Sequence, residues 1–172
     1  MLVLLNAMAL AVAEPEPRNS LGPSLAHVRR FAASQGEALW SGYGAAPFEF
    51  LLVEPKQETL LCRVAKPDGF KADGKDDATG CARFVRGRTS MQDNLLAAMP
   101  LFGPPPTIIM GTPKTTGRTP ASWLRTILHE HFHQWQFSLP DYFTRIDALG
   151  LKGGTKPECG RSTTPSLMRG RL

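Results

Sequence analysis

The protein has 172 residues, 42% of them hydrophobic, which suits one globular domain with a modest core and excludes a two-lobed architecture. The net charge of +5 comes mainly from residues 151–172, which carry five basic residues and one acid. Nucleic-acid binding needs a basic stripe on a folded surface with aromatic residues interleaved. No such stripe is visible, so we expect no nucleic-acid partner.

The first 13 residues have the features of an export signal. Residues 2–12 are an apolar run, interrupted by Asn6, that is too short to span a bilayer. Ala11-Val12-Ala13 follows the small-x-small pattern that signal peptidases accept. No basic residue precedes the run, so a start farther upstream or a first core segment are alternatives. We expect a periplasmic or secreted protein with no membrane span once the signal is removed.

The next elements alternate between helix and strand patterns. Residues 14–23 are rich in proline and predict a linker, after which Ser24 can cap a helix that runs to about Trp40. Residues 48–53 and 59–64 are strand-like and joined by a turn-prone segment, so they predict a hairpin.

The middle of the chain carries weaker signals. Residues 66–80 are polar and predict a surface loop, and residues 81–85 predict a short strand. Residues 92–99 predict a helical turn, whereas the β-branched run at 107–111 predicts another strand.

A long helix is the clearest element of the sequence. Thr119 and Pro120 have the types preferred at an N-cap and a first helical position, and Leu139-Pro140 ends the helix after about Ser138. A shorter helix is predicted over residues 142–149. The tail from 151 to 172 lacks apolar periodicity, and we expect it to be disordered. The sequence therefore predicts an α+β domain over residues 24–150, with a small mixed sheet against the long helix and an N-terminal helix.

Three cysteines give an odd count. Cys62 and Cys81 flank strand-like runs around a polar connection and could close a loop by a disulfide in an exported protein, which would leave Cys159 over. The spacing matches neither a zinc ribbon nor a redox motif, and the pairing stays open.

The long helix contains the pentapeptide His129-Glu130-His131-Phe132-His133, an H-E-x-x-H motif. Histidines four residues apart project from one helical face, so His129 and His133 can bind one Zn²⁺ ion. Glu130 lies beside them and can act as general base toward a zinc-bound water.

A helical wheel divides this helix into a core half and a cleft half. The apolar half contains Trp123, Leu124, Ile127, Leu128, Phe132 and Trp135, and the other half contains Arg125, Thr126, His129, His133 and Gln136. His131 lies within the apolar arc, so we expect a packed histidine with a backbone partner rather than a third ligand.

Through the H-E-x-x-H motif the sequence resembles the zincin metallopeptidases. The resemblance implies a mixed sheet behind a zincin-type active-site helix, an edge strand that binds extended substrate, and a peptide or protein substrate. Metzincins continue the motif with a glycine and a third histidine, but Gln136 and Leu139 stand there, so the similarity is to gluzincins.

The third zinc ligand is left open. Gluzincins use a downstream glutamate, and the only one here is Glu158, which lies in the tail. Asp147 on the next helix is an alternative that is better placed than Asp141. The compositional change near Gly150 also fits a truncated or frame-shifted chain that lacks the ligand.

Two functions follow from these patterns. The first is a zinc-dependent metallopeptidase-like hydrolase, and the alternative is an exported, non-catalytic domain that binds metal or a partner protein. The oligomeric state is left open by the sequence.

Overall fold

The computed structural model describes residues 21–150, which form an α+β fold. In chain order the elements are α1 (Gly22–Leu39), β1 (Phe50–Val53), β2 (Gln57–Leu61), β3 (Lys71–Lys75), β4 (Ala82–Gly87), β5 (Leu96–Met99), β6 (Thr107–Gly111), α2 (Pro120–Ser138) and α3 (Tyr142–Ala148). No helix within this range has the length and apolar character needed to cross a membrane. The predicted signal at 1–13 and the predicted disordered tail lie outside the described residues.

The six strands form one mixed sheet in the order β3-β4-β2-β1-β6-β5. β1 and β6 are parallel neighbours, with Phe50 opposite Ile108, and every other pair is antiparallel. The predicted hairpin is β1–β2, in which Phe50 pairs with Leu61. The predicted fold class, with a mixed sheet and an N-terminal helix, is therefore confirmed.

Side chains alternate between the two faces of the central strands, and both faces are covered. Phe50 and Leu52 face α1 and α2, where they pack with Leu25, Val28, Trp123 and Ile127. Leu51 and Val53 point to the opposite face, which is covered by Phe70, Phe84, Leu95, Leu101 and Phe102. The two helices therefore share one face of the sheet, and the loops around β5 cover much of the other.

Helix α2 has the predicted bounds, and its N-terminus has the predicted cap and first-turn proline. The Thr119 Oγ1 accepts the Ser122 backbone N–H at 3.2 Å, and Pro120 occupies the first turn. Its inner side is tied to the sheet by two buried donors. Trp123 Nε1 donates to the Gly111 carbonyl at 2.8 Å, and Gln134 Nε2 donates to the Glu49 carbonyl at 3.0 Å.

The buried side of α2 is rotated from the predicted apolar arc. Its buried residues are Trp123, Ile127, Glu130, His131 and Gln134. Phe132 and Trp135 are only partly buried, and they contact Trp40 and Tyr43 in the connection after α1. Polar residues that bond to the sheet therefore displace two aromatic residues from the deepest positions.

Gly111 closes β6 in a position that has no room for a side chain. A Cβ atom there would lie 1.6 Å from the Asp93 carbonyl oxygen and 2.4 Å from Thr115 Oγ1. Thr115 Oγ1 also donates to that same carbonyl at 2.9 Å. The end of β6 thus packs backbone against backbone on the segment before β5, and the Thr115 side chain joins the loop before α2 to the same carbonyl.

Three local predictions are wrong. The predicted loop at 66–80 contains β3, an exposed edge strand that pairs with β4 through an irregular register and has no apolar alternation to reveal it. The predicted helical turn at 92–99 contains β5, because pairing with β6 overrides the helical preference of its alanines. Helix α1 begins at Gly22, within the predicted linker, and Leu21 rather than Ser24 occupies the N-cap, without a side-chain bond.

Cys62 and Cys81 form a disulfide that joins the end of β2 to the start of β4. The two cysteines are 19 positions apart, so the bridge closes a loop that contains β3. The pairing that the sequence left open is therefore present.

Replacing both cysteines, Cys62→Ala with Cys81→Ala, is expected to lower the free energy of unfolding by about 3 kcal/mol, the loop-closure entropy of such a bridge. Urea unfolding followed by tryptophan fluorescence measures the change. Cys159→Ser is the matched control and should leave the unfolding midpoint within error. Equal midpoints for the double variant and the wild type would contradict the expectation.

Glu58 is a buried carboxylate held by β4 and the loop after it. Its Oε2 accepts from Arg86 Nε at 2.7 Å, and its Oε1 accepts from the Thr89 backbone N–H at 3.0 Å. Burial alone would raise the pKa of Glu58, but the hydrogen bonds from Thr89 and the bond and charge of Arg86 outweigh burial and lower it from 4.5. The folded state therefore favours the ionised form.

Because the pKa of Glu58 is lower in the folded than in the unfolded chain, its stabilising effect is complete above about pH 4.5 and is lost as the pH falls below that value. Glu58→Gln should destabilise the protein at pH 7, and its difference from wild type should shrink at pH 3. Urea unfolding at both pH values tests this, with the exposed Asp77→Asn as control. A difference that stays constant between the two pH values would refute the prediction.

Candidate metal centre

His129 and His133 lie one helical turn apart on the side of α2 that faces away from the core. Their Nε2 atoms are 3.0 Å apart, and the two rings meet edge to face with centroids 4.5 Å apart. The helical spacing alone explains why they meet, since residues i and i+4 lie on one face. The structure therefore brings together the pair that the sequence singled out.

Gln136 fixes the orientation of His133. The His133 Nδ1 lies 2.9 Å from Gln136 Oε1, an amide oxygen that can only accept, so this pairing favours the tautomer with the proton on Nδ1. The lone pair is then on Nε2, the atom that faces His129. A hydrogen bond of this kind to the outer nitrogen is typical of metal-binding histidines.

The geometry of the pair fits a zinc ion. Two imidazole nitrogens bonded to one tetrahedral Zn²⁺ are about 3.3 Å apart. The observed 3.0 Å is the length of a hydrogen bond between the two rings, which a bound ion would replace with little movement of either ring. Between residues 21 and 150, no third His, Cys, Asp or Glu joins the two histidines in a group that could hold a metal. Asp147 therefore does not complete the site in this arrangement, and Glu158 lies outside the described residues.

Glu130 is buried beside the pair, with 8% of its surface exposed. The Ala98 backbone N–H in edge strand β5 donates a hydrogen bond to its carboxylate. Burial raises the pKa of Glu130 above its ordinary value, more than the nearby charges of His129, His133 and Arg118 and the Ala98 bond lower it. A carboxylate with a raised pKa is a better base near neutral pH.

His131 is a packed structural residue, as predicted. Its Nε2 donates to the Pro47 carbonyl at 3.1 Å, and its Nδ1 accepts from the Tyr43 hydroxyl at 3.1 Å. Burial lowers the pKa of His131 to about 4, although the backbone carbonyls of Pro47 and Ala46 partly oppose the shift. The ring is thus neutral at pH 7 and anchors α2 to the start of β1.

A cleft of about 390 Å³ opens beside the histidine pair, between α2 and β5. Besides His129 and Glu130, its lining includes Arg118 and Arg125. The helical wheel placed Arg125 on the cleft half of α2 without giving it a role. The sequence did not single out Arg118, because nothing in the local pattern of the loop before Thr119 tells where its side chains point. The strand β5, whose Ala98 contacts Glu130, was likewise missed.

A larger cleft of about 610 Å³ lies between α1, the disulfide and His131. Its charged groups already have partners within the described chain: Glu49 pairs with Arg63 at 2.8 Å, and Arg29 donates to the Thr79 carbonyl. Neither His129 nor Glu130 lines it. The smaller cleft is therefore the candidate site, because it contains His129 and Glu130.

Comparison of the chain with models of protein families, with curated proteins and with solved structures found no match.

Purified wild-type protein, dialysed after zinc loading, is expected to retain about one zinc per chain, and His129→Ala is expected to lose it. Gln136→Ala should weaken zinc binding by about 10- to 100-fold, because it removes the partner of His133 Nδ1. Metal analysis and chelator competition measure both effects. His27→Ala, on the exposed side of α1, is the control, and zinc retained by His129→Ala would rule out this site.

Proposed function

We propose that this protein is a zinc-dependent metallopeptidase-like hydrolase, similar to the zincins, that acts on peptide or protein substrates. The observation that carries the proposal is the convergence of His129 Nε2 and His133 Nε2, 3.0 Å apart, beside the buried carboxylate of Glu130. The H-E-x-x-H motif supplies these three groups, and the cleft next to them leaves space for a substrate.

His129 and His133 would hold the metal through their Nε2 atoms. A bound zinc ion would act as a Lewis acid that polarises a peptide carbonyl and acidifies water. The carboxylate of Glu130 accepts the proton of the attacking water and then delivers it to the nitrogen of the departing amine.

Edge strand β5 gives this site a surface for an extended peptide. It lies at one end of the sheet order, so only one of its sides pairs with another strand of the described chain. An extended substrate can add to such an edge by main-chain hydrogen bonds. The resemblance to zincins implies the same mode of binding, and Ala98 connects this strand directly to the proposed base.

Export to the periplasm or the extracellular space is part of the proposal. The disulfide between Cys62 and Cys81 supports it, because such bridges persist in oxidising compartments. The apolar run and the small-x-small pattern of residues 2–13 support it independently.

A second candidate is an exported domain that binds metal or a partner without catalysis. It is favoured by the lack of a third ligand near the histidine pair among residues 21–150. Catalytic zinc sites normally use three protein ligands, so two histidines alone would hold the metal loosely. The two candidates differ in whether any activity depends on Glu130.

Glu130→Gln is expected to reduce the rate of peptide hydrolysis by at least about 10²-fold, because it removes the general base. Zinc content should stay at the wild-type level, since Glu130 is not a ligand. Hydrolysis of a quenched fluorescent peptide library and metal analysis give the two readouts, with Glu37→Gln on α1 as control. Activity that survives Glu130→Gln unchanged would show that the peptidase mechanism is wrong.

A further inference from the structure

The cleft beside the histidine pair has more positive than negative side chains. Two arginines, Arg118 and Arg125, line it, and Glu130 is the one carboxylate among its lining residues in the described chain. Because Glu130 is assigned to proton transfer, it is not a partner for the two arginines. Both guanidinium groups are therefore available to a ligand. A bound metal ion would make the cleft more positive still.

Of the two arginines, Arg118 gives the clearer indication of a ligand, because one of its donors lacks an acceptor. Its Nη1 donates to Ser122 Oγ at 3.3 Å, but its Nε is buried and has no hydrogen-bond partner. Within residues 21–150 it forms no salt bridge. A buried N–H without an acceptor is unfavourable, so a shift of the side chain that brought Nε to a ligand oxygen would remove that cost.

Glu130 does not serve as the partner of Arg118. The charge of Arg118 acts on the Glu130 carboxylate from a distance, whereas the hydrogen bond to that carboxylate comes from Ala98. Arg125 is exposed at the mouth of the cleft, one turn before His129. The two arginines therefore flank the place where a substrate would meet the histidine pair.

We propose that this cleft recognises a carboxylate of the substrate, with Arg118 as the principal donor and Arg125 as a second positive charge. The planar fork of a guanidinium group matches the two oxygens of a carboxylate. The substrate class is then a peptide that carries an acidic side chain or a free C-terminal carboxylate near the bond to be cut. This inference rests on the proposed peptidase function.

Four matched peptide pools separate the two sources of the carboxylate. They share one sequence set and differ in having Glu or Gln at a scanned position, and a free acid or an amide at the C-terminus. The wild-type kcat/KM is expected to be about 10- to 100-fold higher for the preferred carboxylate than for its neutral counterpart. A Glu preference identifies a side-chain site, and a free-acid preference identifies a terminal site.

Arg118→Gln is expected to remove this preference, measured as the ratio of kcat/KM for charged and neutral peptides, whatever its effect on the neutral peptides. Arg118→Lys should keep part of the preference, because the charge remains but the Nε donor is lost. Arg30→Gln, an equal change of charge on the exposed side of α1, should alter nothing. Equal losses on charged and neutral peptides in Arg118→Gln would overturn the proposal.

A binding measurement on the full, metal-free chain keeps this inference separate from the proposed function. Titration with each of the four pools should shift the ¹H–¹⁵N signal of Arg118 Nε for the pools that carry the recognised carboxylate, and not for their neutral counterparts. Binding with that shift but no hydrolysis by zinc-loaded protein would overturn the peptidase function alone. Hydrolysis that is equal for all four pools, or no shift with any peptide, would overturn the carboxylate site.

Discussion

Buried hydrogen bonds between the inner side of α2 and the sheet fix the rotation of this helix about its own axis. Trp123, His131 and Gln134 each donate to a backbone carbonyl in or next to the central strands. Successive helical residues turn by about 100°, so a slip by one residue would carry these three side-chain donors away from their acceptors. The same rotation directs His129 and His133 outward, and the candidate site depends on it.

The features predicted correctly from the sequence are those that neighbouring residues determine. The bounds of α2 followed from Thr119 and Pro120, the β1–β2 hairpin from two strand-like runs around a turn, and the histidine pair from its i, i+4 spacing. The sequence could not predict β3 and β5, since these strands exist through pairing with distant residues and lack a pattern of their own. Missing β5 also hid the Ala98 contact that orients Glu130.

One cleft brings together the edge strand, the proposed base and the two arginines, because β5, the loop before α2 and the middle of α2 all border it. β5 supplies the Ala98 N–H to Glu130, the loop before α2 supplies Arg118, and α2 supplies Glu130 itself. Burial and a surrounding of positive charge act in opposite directions on this carboxylate, and burial is the stronger effect. The cleft thus combines a poorly solvated base with an electrostatic environment suited to anions.

The packing around Gly111 limits how this protein can vary. The contact with the Asp93 carbonyl joins backbone to backbone, so no change of side-chain rotamer could make space for even a methyl group. Among descendants of this sequence, position 111 should therefore remain glycine while the solvent-facing positions of α1 exchange freely. The close approach of β6 to the segment before β5 would be inherited with that single residue.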